Sequence, residues 1–291
     1  MPVSRASVDH VILTRFNLPT AGVEGLIRAR EGWLAERAAL FERYTVPAVA
    51  GQTHRPTWLV YVDPQSPDWL LHRLRRLSEG GLFTPLLRES VSRQVLVHDL
   101  KENVDRRHGV LLTTNLDNDD GVARDFSERL CSIDTDHGRC VVYWPSGLIV
   151  KDGDLYRRTD TRNAFCSVRE PWSDPVTAWS QYHNEFPRVM PVVQLAAPPG
   201  WLQVVHGSNV SNRVRGRLVS PVAVGDRFGD LLADARTPTG AEIASDTLVG
   251  LPIRAARDSL RTAIRVGGLR VLGKDRYQRA KVAVARLSGS G

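Results

Sequence analysis

The sequence predicts an α/β fold with a central, mainly parallel sheet. Through the first half of the chain, apolar and β-branched runs alternate with segments whose apolar residues recur at helical spacing, as in parallel strands joined by crossover helices. The chain has 291 residues, 42% of them hydrophobic and 24% charged, which is the composition of a globular protein with a sizeable core. No apolar stretch approaches the roughly 20 residues that span a bilayer.

Four strands are predicted in the first half because each run is apolar and ends at polar or turn-forming residues. They are His10–Phe16, Thr57–Val62, Gln94–His98 and Gly109–Leu116. Further along, Val141–Tyr143 and Leu148–Val150 flank Pro145-Ser146-Gly147, and this spacing predicts a β-hairpin.

Three helices are predicted from apolar residues at helical spacing. Two span Val23–Tyr44 and Ser66–Leu77, and the third carries Val122, Phe126 and Leu130. Open α/β sheets bind ligands beyond the carboxyl ends of their strands. The residues that follow each strand are therefore the first candidates for a functional site.

The positive charge of the chain is concentrated at its C-terminal end. The net charge is +7, and from residue 254 onward ten basic residues face only two acidic ones. Apolar residues recur there at helical spacing, so residues 251–291 are predicted to form a basic, helical tail. Two interpretations stay open: residues 254–287 bind an anionic membrane surface, or they form a solvated helix face.

The cysteine content and the N-terminal sequence predict where in the cell the protein is found. Three cysteines are too few for a disulfide framework, and none forms a Cys-x-x-Cys pair. Residues 1–10 lack the charged-then-apolar pattern of a signal peptide. We therefore expect a cytoplasmic protein, peripheral on the inner face of the cell membrane if the tail binds lipid.

A cluster of carboxylates follows the fourth predicted strand. Asp117, Asp119 and Asp120 lie in the sequence Asp-Asn-Asp-Asp-Gly. Such acids repel one another unless a cation or a hydrogen-bond network neutralises them, and Mg²⁺ and Mn²⁺ prefer oxygen ligands of this kind. A polar turn is the alternative, since Asn, Asp and Gly are turn residues. The position after a buried strand favours a metal site.

Rival motifs do not fit the spacing. An EF-hand loop with Gly121 at its invariant position would need carboxylates where Leu116 and Ser127 stand. Gly121 also replaces the Thr of an Asp-x-Asp-x-Thr phosphatase motif. The chain has neither a Gly-x-x-x-x-Gly-Lys-Ser/Thr loop nor a Gly-x-Gly-x-x-Gly fingerprint, which disfavours P-loop and dinucleotide-binding enzymes.

Together with this cluster, four segments resemble a bacterial family of rhamnosyltransferases, glycosyltransferases of the Rossmann-like GT-A fold. They are HVILTRFNL (His10–Leu18), TWLVYVD (Thr57–Asp63), TTNLDNDDG (Thr113–Gly121) and WLQVVHGSNVSNRVRG (Trp201–Gly216). A looser fifth segment is NAFCSVRE (Asn163–Glu170). The resemblance covers residues 8–216 and implies a GT-A domain over residues 1–250, followed by the tail at 251–291.

The resemblance implies a nucleotide-sugar donor that is held by Mn²⁺ or Mg²⁺ at an Asp-x-Asp motif. Carried over to this sequence, Asp117 and Asp119 form that motif, and His206 takes the place of a late histidine ligand. In such enzymes the metal bridges the diphosphate and neutralises the charge that develops on the leaving group.

The nucleotide is then expected over the ends of the first two strands, against Thr14, Arg15 and Asp63. Arg213 is expected to pair with the diphosphate, with solvent exposure as the alternative. An inverting reaction needs a general base for the acceptor hydroxyl. Its candidates are Glu170, Asp174, His183 and Glu185, and Glu170 is preferred because it ends the fifth matching segment.

The expected function is therefore a metal-dependent glycosyltransferase that moves a sugar such as rhamnose to a glycan or glycolipid acceptor. A nucleic-acid-binding protein that uses the basic tail is the alternative. The near-neutral body of the chain, which has no basic–aromatic platform, argues against that alternative.

Overall fold

A seven-stranded sheet forms the centre of the structure, a computed structural model that describes residues 8–19, 32–206 and 213–259. Its strands are β1 (Val8–Arg15), β2 (Thr57–Val62), β3 (Thr84–Leu87), β4 (Val110–Asn115), β6 (Cys140–Tyr143), β9 (Ser167–Pro171) and β10 (Val192–Gln194). They lie in the order β10-β6-β9-β4-β1-β2-β3. Only β9 pairs antiparallel to its neighbours. The predicted mainly parallel sheet is confirmed.

A second, five-stranded sheet follows the order β12-β8-β7-β11-β5. Its strands are β5 (Gly121–Val122), β7 (Ser146–Lys151), β8 (Asp154–Thr159), β11 (Trp201–Val204) and β12 (Arg217–Leu218). In this sheet β11 pairs with β5, and β5 is the strand that directly follows the carboxylate cluster.

Helices connect the strands of the first half. They are α1 (Trp33–Leu40), which continues through a π-helical turn (Phe41–Thr45) into α2 (Val46–Ala50), α3 (Asp68–Ser78), α4 (Arg93–Asn103) and α5 (Phe126–Cys131). Near the C-terminus, α6 (Gly240–Ser245) leads through a second π-helical turn (Asp246–Gly250) into helical residues 251–259.

The core lies on both faces of the central sheet. Ile12 of β1 and Phe16 directly after it pack into a cluster with Phe41 of the π-helical turn, whereas Leu13 of β1 packs into a second cluster with Leu100 of α4. Burial on both faces is typical of a parallel strand that is covered by crossover helices. It explains the unbroken apolar run Val11–Leu13 in the middle of this strand.

The predicted third strand, Gln94–His98, is wrong: these residues belong to α4. The Ser92 hydroxyl caps the helix by accepting a hydrogen bond from the Val95 amide, at 3.2 Å. Leu96 and Leu100, four residues apart, are the buried positions. The short β-branched run has the composition of a strand, but its buried residues recur at the spacing of a helix.

The predicted hairpin around Pro145-Ser146-Gly147 is also wrong, because the two flanking strands belong to different sheets. β6 pairs with β9 and β10 in the central sheet, and β7 pairs with β8 and β11 in the second sheet. The hairpin that does form joins β7 to β8 through Asp152 and Gly153. Both turn residues have positive φ, 51° and 81°, as tight hairpin turns require.

Two helix predictions change at their boundaries. Of the predicted Val23–Tyr44 helix, residues 23–31 lie outside the described residues, and the rest continues past Tyr44 to Ala50. Val122, predicted to be helical, lies in β5, and α5 begins only at Phe126. Pairing with Trp201 of β11 places Val122 in the second sheet.

The predicted tail lies mostly outside the described residues, which end at residue 259. Its described beginning contacts the body of the protein. Arg254 donates to both Asp246 carboxylate oxygens, at 2.7 and 2.9 Å, and to the Gly216 carbonyl at 2.9 Å. Within the described part of the chain, no helix is long and apolar enough to cross a membrane.

Candidate active site

The carboxyl ends of β1, β2 and β4 meet at one edge of the central sheet because these strands are parallel neighbours. Arg15 ends β1, Asp63 follows β2, and Asp117 lies two positions beyond the end of β4. The sheet therefore gathers side chains that are up to about a hundred positions apart in sequence, as the parallel arrangement predicts.

Asp119 and His206 are in direct contact at this edge. His206 follows β11, and its Nε2 atom lies 2.9 Å from Asp119 Oδ2. The other ring nitrogen, Nδ1, lies 3.5 Å from the Glu36 carboxylate of α1. A histidine with one nitrogen on a site and the other against a carboxylate has a fixed ring orientation, as metal-binding histidines have.

Arg37 of α1 contacts the same Asp119 oxygen. Both side chains are buried, at 9% and 5% exposure. Burial opposes ionisation of Asp119, but the His206 hydrogen bond and the Arg37 charge prevail and hold the pKa of Asp119 below its usual value. Asp119 therefore carries its negative charge into a nearly dry site.

Asp120 and Asn118 fix the turn that carries Asp119. Asp120 is fully buried, and its carboxylate accepts from the Val204 amide of β11 at 2.8 Å. Asn118 donates to the Phe16 carbonyl at 2.5 Å. Burial and the neighbouring Asp119 and Asp117 carboxylates raise the pKa of Asp120 well above its usual value. Asp120 thus ties the cluster to the second sheet rather than facing solvent.

The donor set at Asp119 fits a divalent cation that takes few ligands from the protein. A carboxylate oxygen and an imidazole nitrogen converge there, and Mg²⁺ leaves the other positions to water and substrate phosphates. Asp117 is part of neither contact. Among the described residues, no three His, Cys, Asp or Glu side chains form a group that holds a metal alone.

A cavity of about 590 Å³ opens beside Asp117. Four arginines from three segments of the chain line it: Arg15, Arg158, and the neighbouring Arg213 and Arg215. Trp179, Tyr182, His183 and Asn184 lie in the wall that follows β9. The volume falls in the usual range of small-molecule sites, and the arginines make the cavity suited to an anionic ligand.

Two of the predicted nucleotide contacts, Arg15 and Arg213, line this cavity. The Arg15 guanidinium lies 4.0 Å from the centre of the Trp179 ring, and the Trp179 indole donates to Asn115 at 2.8 Å. The Trp179 ring, which is bonded to the end of β4, thus packs against the Arg15 guanidinium and orients it. Trp179 is not among the predicted site residues, because core packing is the commoner role of a tryptophan.

The other two predicted contacts, Thr14 and Asp63, form hydrogen bonds within the fold. Thr14 is fully buried, and its hydroxyl accepts from the Trp58 indole at 3.0 Å, so it has no surface for a nucleotide. Asp63 shapes the turn after β2, where its carboxylate accepts from the Gln65 amide at 2.9 Å. Asp63 is half-buried and keeps a surface at the sheet edge.

Glu170, the preferred general base, lies away from the cluster. It sits in β9 opposite Leu111, near the start of β4, whereas Asp117 follows the end of that strand. The side chain is fully buried and accepts from Arg139 at 3.0 Å and from the Val176 and Thr177 amides at 2.8 Å. These contacts give Glu170 a structural environment. Of the four candidates, His183 is the one that lines the cavity.

Arg37 is the site residue that the sequence did not predict. It stands in the middle of a predicted helix, and its sequence neighbours carry no motif. Only the placement of α1 over the sheet edge brings Glu36 and Arg37 to His206 and Asp119. A single sequence contains no signal for that approach.

Comparison with solved structures finds distant likenesses. The chain is similar to TarS of S. aureus (10% identity, 68% of this chain and 37% of that chain, TM-score 0.41). It is also similar to TarS residues 1–349 in complex with UDP (10%, 68% and 60%, 0.40) and to the inositol-1-phosphate CTP transferase of T. maritima (9%, 79% and 97%, 0.36). The chain thus spans little more than a third of the TarS chain in the first of these structures. With TM-scores below 0.5, these likenesses add nothing to the fold assignment.

Comparison with protein sequences is more specific. None of the curated proteins matches the chain. The model of one family, described as "Putative rhamnosyl transferase", matches residues 9–218. These residues include all of β1 but its first residue, the carboxylate cluster, the cavity wall and His206. Because the match covers well over half of the sequence, the chain belongs to this family of glycosyltransferases.

Proposed function

We propose that the protein transfers a sugar, with rhamnose as the first candidate, from a nucleotide-diphosphate donor to a glycan or glycolipid acceptor, and that Mn²⁺ or Mg²⁺ is required. The observation that carries the proposal is the Asp119–His206 pair, 2.9 Å apart, at the edge where β1, β2 and β4 end. The family description supports rhamnose as the sugar.

In this proposal Asp119 and His206 hold the divalent cation, whose chemistry is to neutralise charge on the departing diphosphate. Asp120 and Asn118 keep the Asp119 turn in place through Val204 and Phe16. Arg15 and Arg213 bind the diphosphate oxygens, because guanidinium groups pair well with phosphate. Asp63 contacts the nucleoside at the end of β2.

His183 is proposed as the general base for an inverting transfer, in place of Glu170. Its backbone is anchored by the Tyr143 hydroxyl, which donates to the His183 carbonyl. Desolvation in the cavity wall lowers the pKa of His183, against the opposing charge of Asp160. In its neutral form the imidazole can accept a proton from the acceptor hydroxyl.

Nucleotide binding tests the proposal. Calorimetric titrations of UDP, dTDP and GDP, each with and without Mn²⁺, are expected to give at least one complex that Mn²⁺ tightens. Asp119→Ala is expected to abolish the Mn²⁺ effect. The matched control Asp134→Ala removes an exposed carboxylate on the loop after α5 and is expected to bind like wild type. Equal binding by wild type and Asp119→Ala would contradict the proposal.

A further inference from the structure

Arg37 occupies the position where the proposed metal site is formed. Its Nη1 atom contacts Asp119 Oδ2, the oxygen that also faces His206 Nε2, and lies 3.4 Å from Asn118 Oδ1. The guanidinium is 5.4 Å from the centre of the Trp33 ring. Its Nε atom is buried without a hydrogen-bond partner among the described residues. Among the described residues, Asp119 is the one carboxylate with which Arg37 forms an ion pair.

A buried carboxylate needs a countercharge, since an isolated ion in a dry site is unstable. Arg37 supplies that charge to Asp119 when no metal is bound. A divalent cation on Asp119 and His206 uses the same carboxylate oxygen. Two cations that share one buried oxygen repel each other strongly, because little water screens them.

We infer that Arg37 is a built-in competitor of the divalent cation: it neutralises Asp119 in the metal-free protein and weakens the binding of metal alone. This inference rests on the proposed metal site and adds a residue that sets its affinity. Arg37 is a positioning residue in this role, because it acts on the metal through Asp119. The inference requires that removing the Arg37 charge, and not another charge on the same helical segment, strengthens metal binding.

Calorimetric titration with Mn²⁺ alone tests this requirement in the full-length chain. Arg37→Gln is expected to bind Mn²⁺ at least tenfold more tightly than wild type. The control is Arg43→Gln, which removes a cation from the following π-helical turn. Arg43 pairs with Asp234, at 2.8 Å, instead of with the cluster. We expect Arg43→Gln to have the wild-type Mn²⁺ affinity.

Thermal unfolding gives a second readout, which can be used even if the metal-free variant is destabilised. Without metal, Arg37→Gln removes the buried countercharge of Asp119, so its Tm is expected to fall below the wild-type Tm. Added Mn²⁺ is expected to raise the Tm of Arg37→Gln by several degrees more than that of wild type. If Arg37→Gln is unfolded with and without Mn²⁺, the Mn²⁺ affinity of Arg37→Lys is measured instead. This variant retains the positive charge, so it is expected to bind Mn²⁺ within threefold of wild type.

The outcomes separate this inference from the proposed function. The inference is overturned if folded Arg37→Gln binds Mn²⁺ no more tightly than wild type, or if Arg37→Lys gains tenfold. Adding Asp119→Ala to Arg37→Gln is expected to abolish the tight binding. If the double variant still binds Mn²⁺ tightly, the metal site itself lies elsewhere and the proposed function fails with it.

Discussion

The three carboxylates after β4 have three different surroundings. Asp119 faces Arg37 and His206, Asp120 is bonded to the Val204 amide, and Asp117 borders the cavity. The sequence predicted the cluster and its position, because an apolar strand followed by acids is a local pattern. It did not predict the division of roles, which depends on β11 and α1 approaching from distant parts of the chain.

Glu170 and His183 should separate stability from catalysis. Glu170→Ala removes the shared acceptor of Arg139 and two backbone amides in a buried position, so we expect a loss of about 3–5 kcal/mol of stability. The kcat of the folded fraction should not change. His183→Asn should retain wild-type stability and lower kcat about 10²–10⁴-fold. Urea unfolding and steady-state kinetics measure both effects, and the reverse pattern would restore Glu170 as the base.

Gly147 should tolerate no side chain. A Cβ atom at this position would lie 2.0 Å from the buried Trp201 ring, which is stacked on Phe165 with ring centres 5.0 Å apart. We expect Gly147→Ala to lower the free energy of unfolding by about 2–3 kcal/mol. Gly138→Ala, which meets no atom within 4 Å, should stay within about 0.5 kcal/mol. Equal denaturant midpoints for the two variants would contradict the packing.

At the scale of elements, strands β1, β2 and β4 were predicted correctly, and they lie next to one another in the central sheet. β1, β2 and β4 are buried on both faces, so the run of apolar residues is unambiguous. The errors occurred where a short apolar run is compatible with helix and strand, as at Gln94–His98. The false hairpin has another cause: β6 and β7 pair with different sheets, and pairing partners are not encoded in local spacing.

The N-terminus of α6 should be sensitive to pH through Glu242. Hydrogen bonds from the Thr239 amide and hydroxyl, together with Arg236, lower the pKa of Glu242 to about 2. A depressed carboxyl pKa contributes stability that is present above the unfolded pKa of about 4.3. That contribution is lost as the pH falls through about 2.

Hydrogen-exchange protection of the amides in Gly240–Ser245 measures this effect. At pH 7, these amides should be less protected from exchange in Glu242→Gln than in wild type. This difference in protection should shrink as the pH falls from 5 to 2. A difference that stays constant over this range would show that the charge of Glu242 does not hold the helix end.

For the molecule as a whole, the net charge of +7 belongs to one terminal segment. Residues 260–291 contain eight basic residues and one acidic residue, so the rest of the chain is neutral. Arg254 and Asp258, which the sequence assigned to the tail, instead pair with Asp246 and Arg215 of the body. Membrane binding through residues 254–287 stays a prediction, now confined mainly to the residues after 259.

Co-sedimentation with anionic liposomes tests the role of this segment. The full chain should pellet with phosphatidylserine vesicles and a chain that ends at Ser259 should not, because electrostatic attraction to anionic lipid scales with the basic residues near the surface. Ending the chain at Ser259 keeps the Arg254–Asp246 and Arg215–Asp258 pairs. Equal pelleting of both chains would remove the membrane role.

Sugar transfer from defined nucleotide-sugar donors tests the central claim most directly. We expect turnover of at least one nucleotide-diphosphate rhamnose donor in Mn²⁺ or Mg²⁺, with no turnover in EDTA. Asp119→Ala should lower kcat/KM by at least about 10²–10³-fold, and Asp134→Ala should leave it unchanged. Turnover that survives both EDTA and Asp119→Ala would contradict a metal-dependent transferase built on Asp119 and His206.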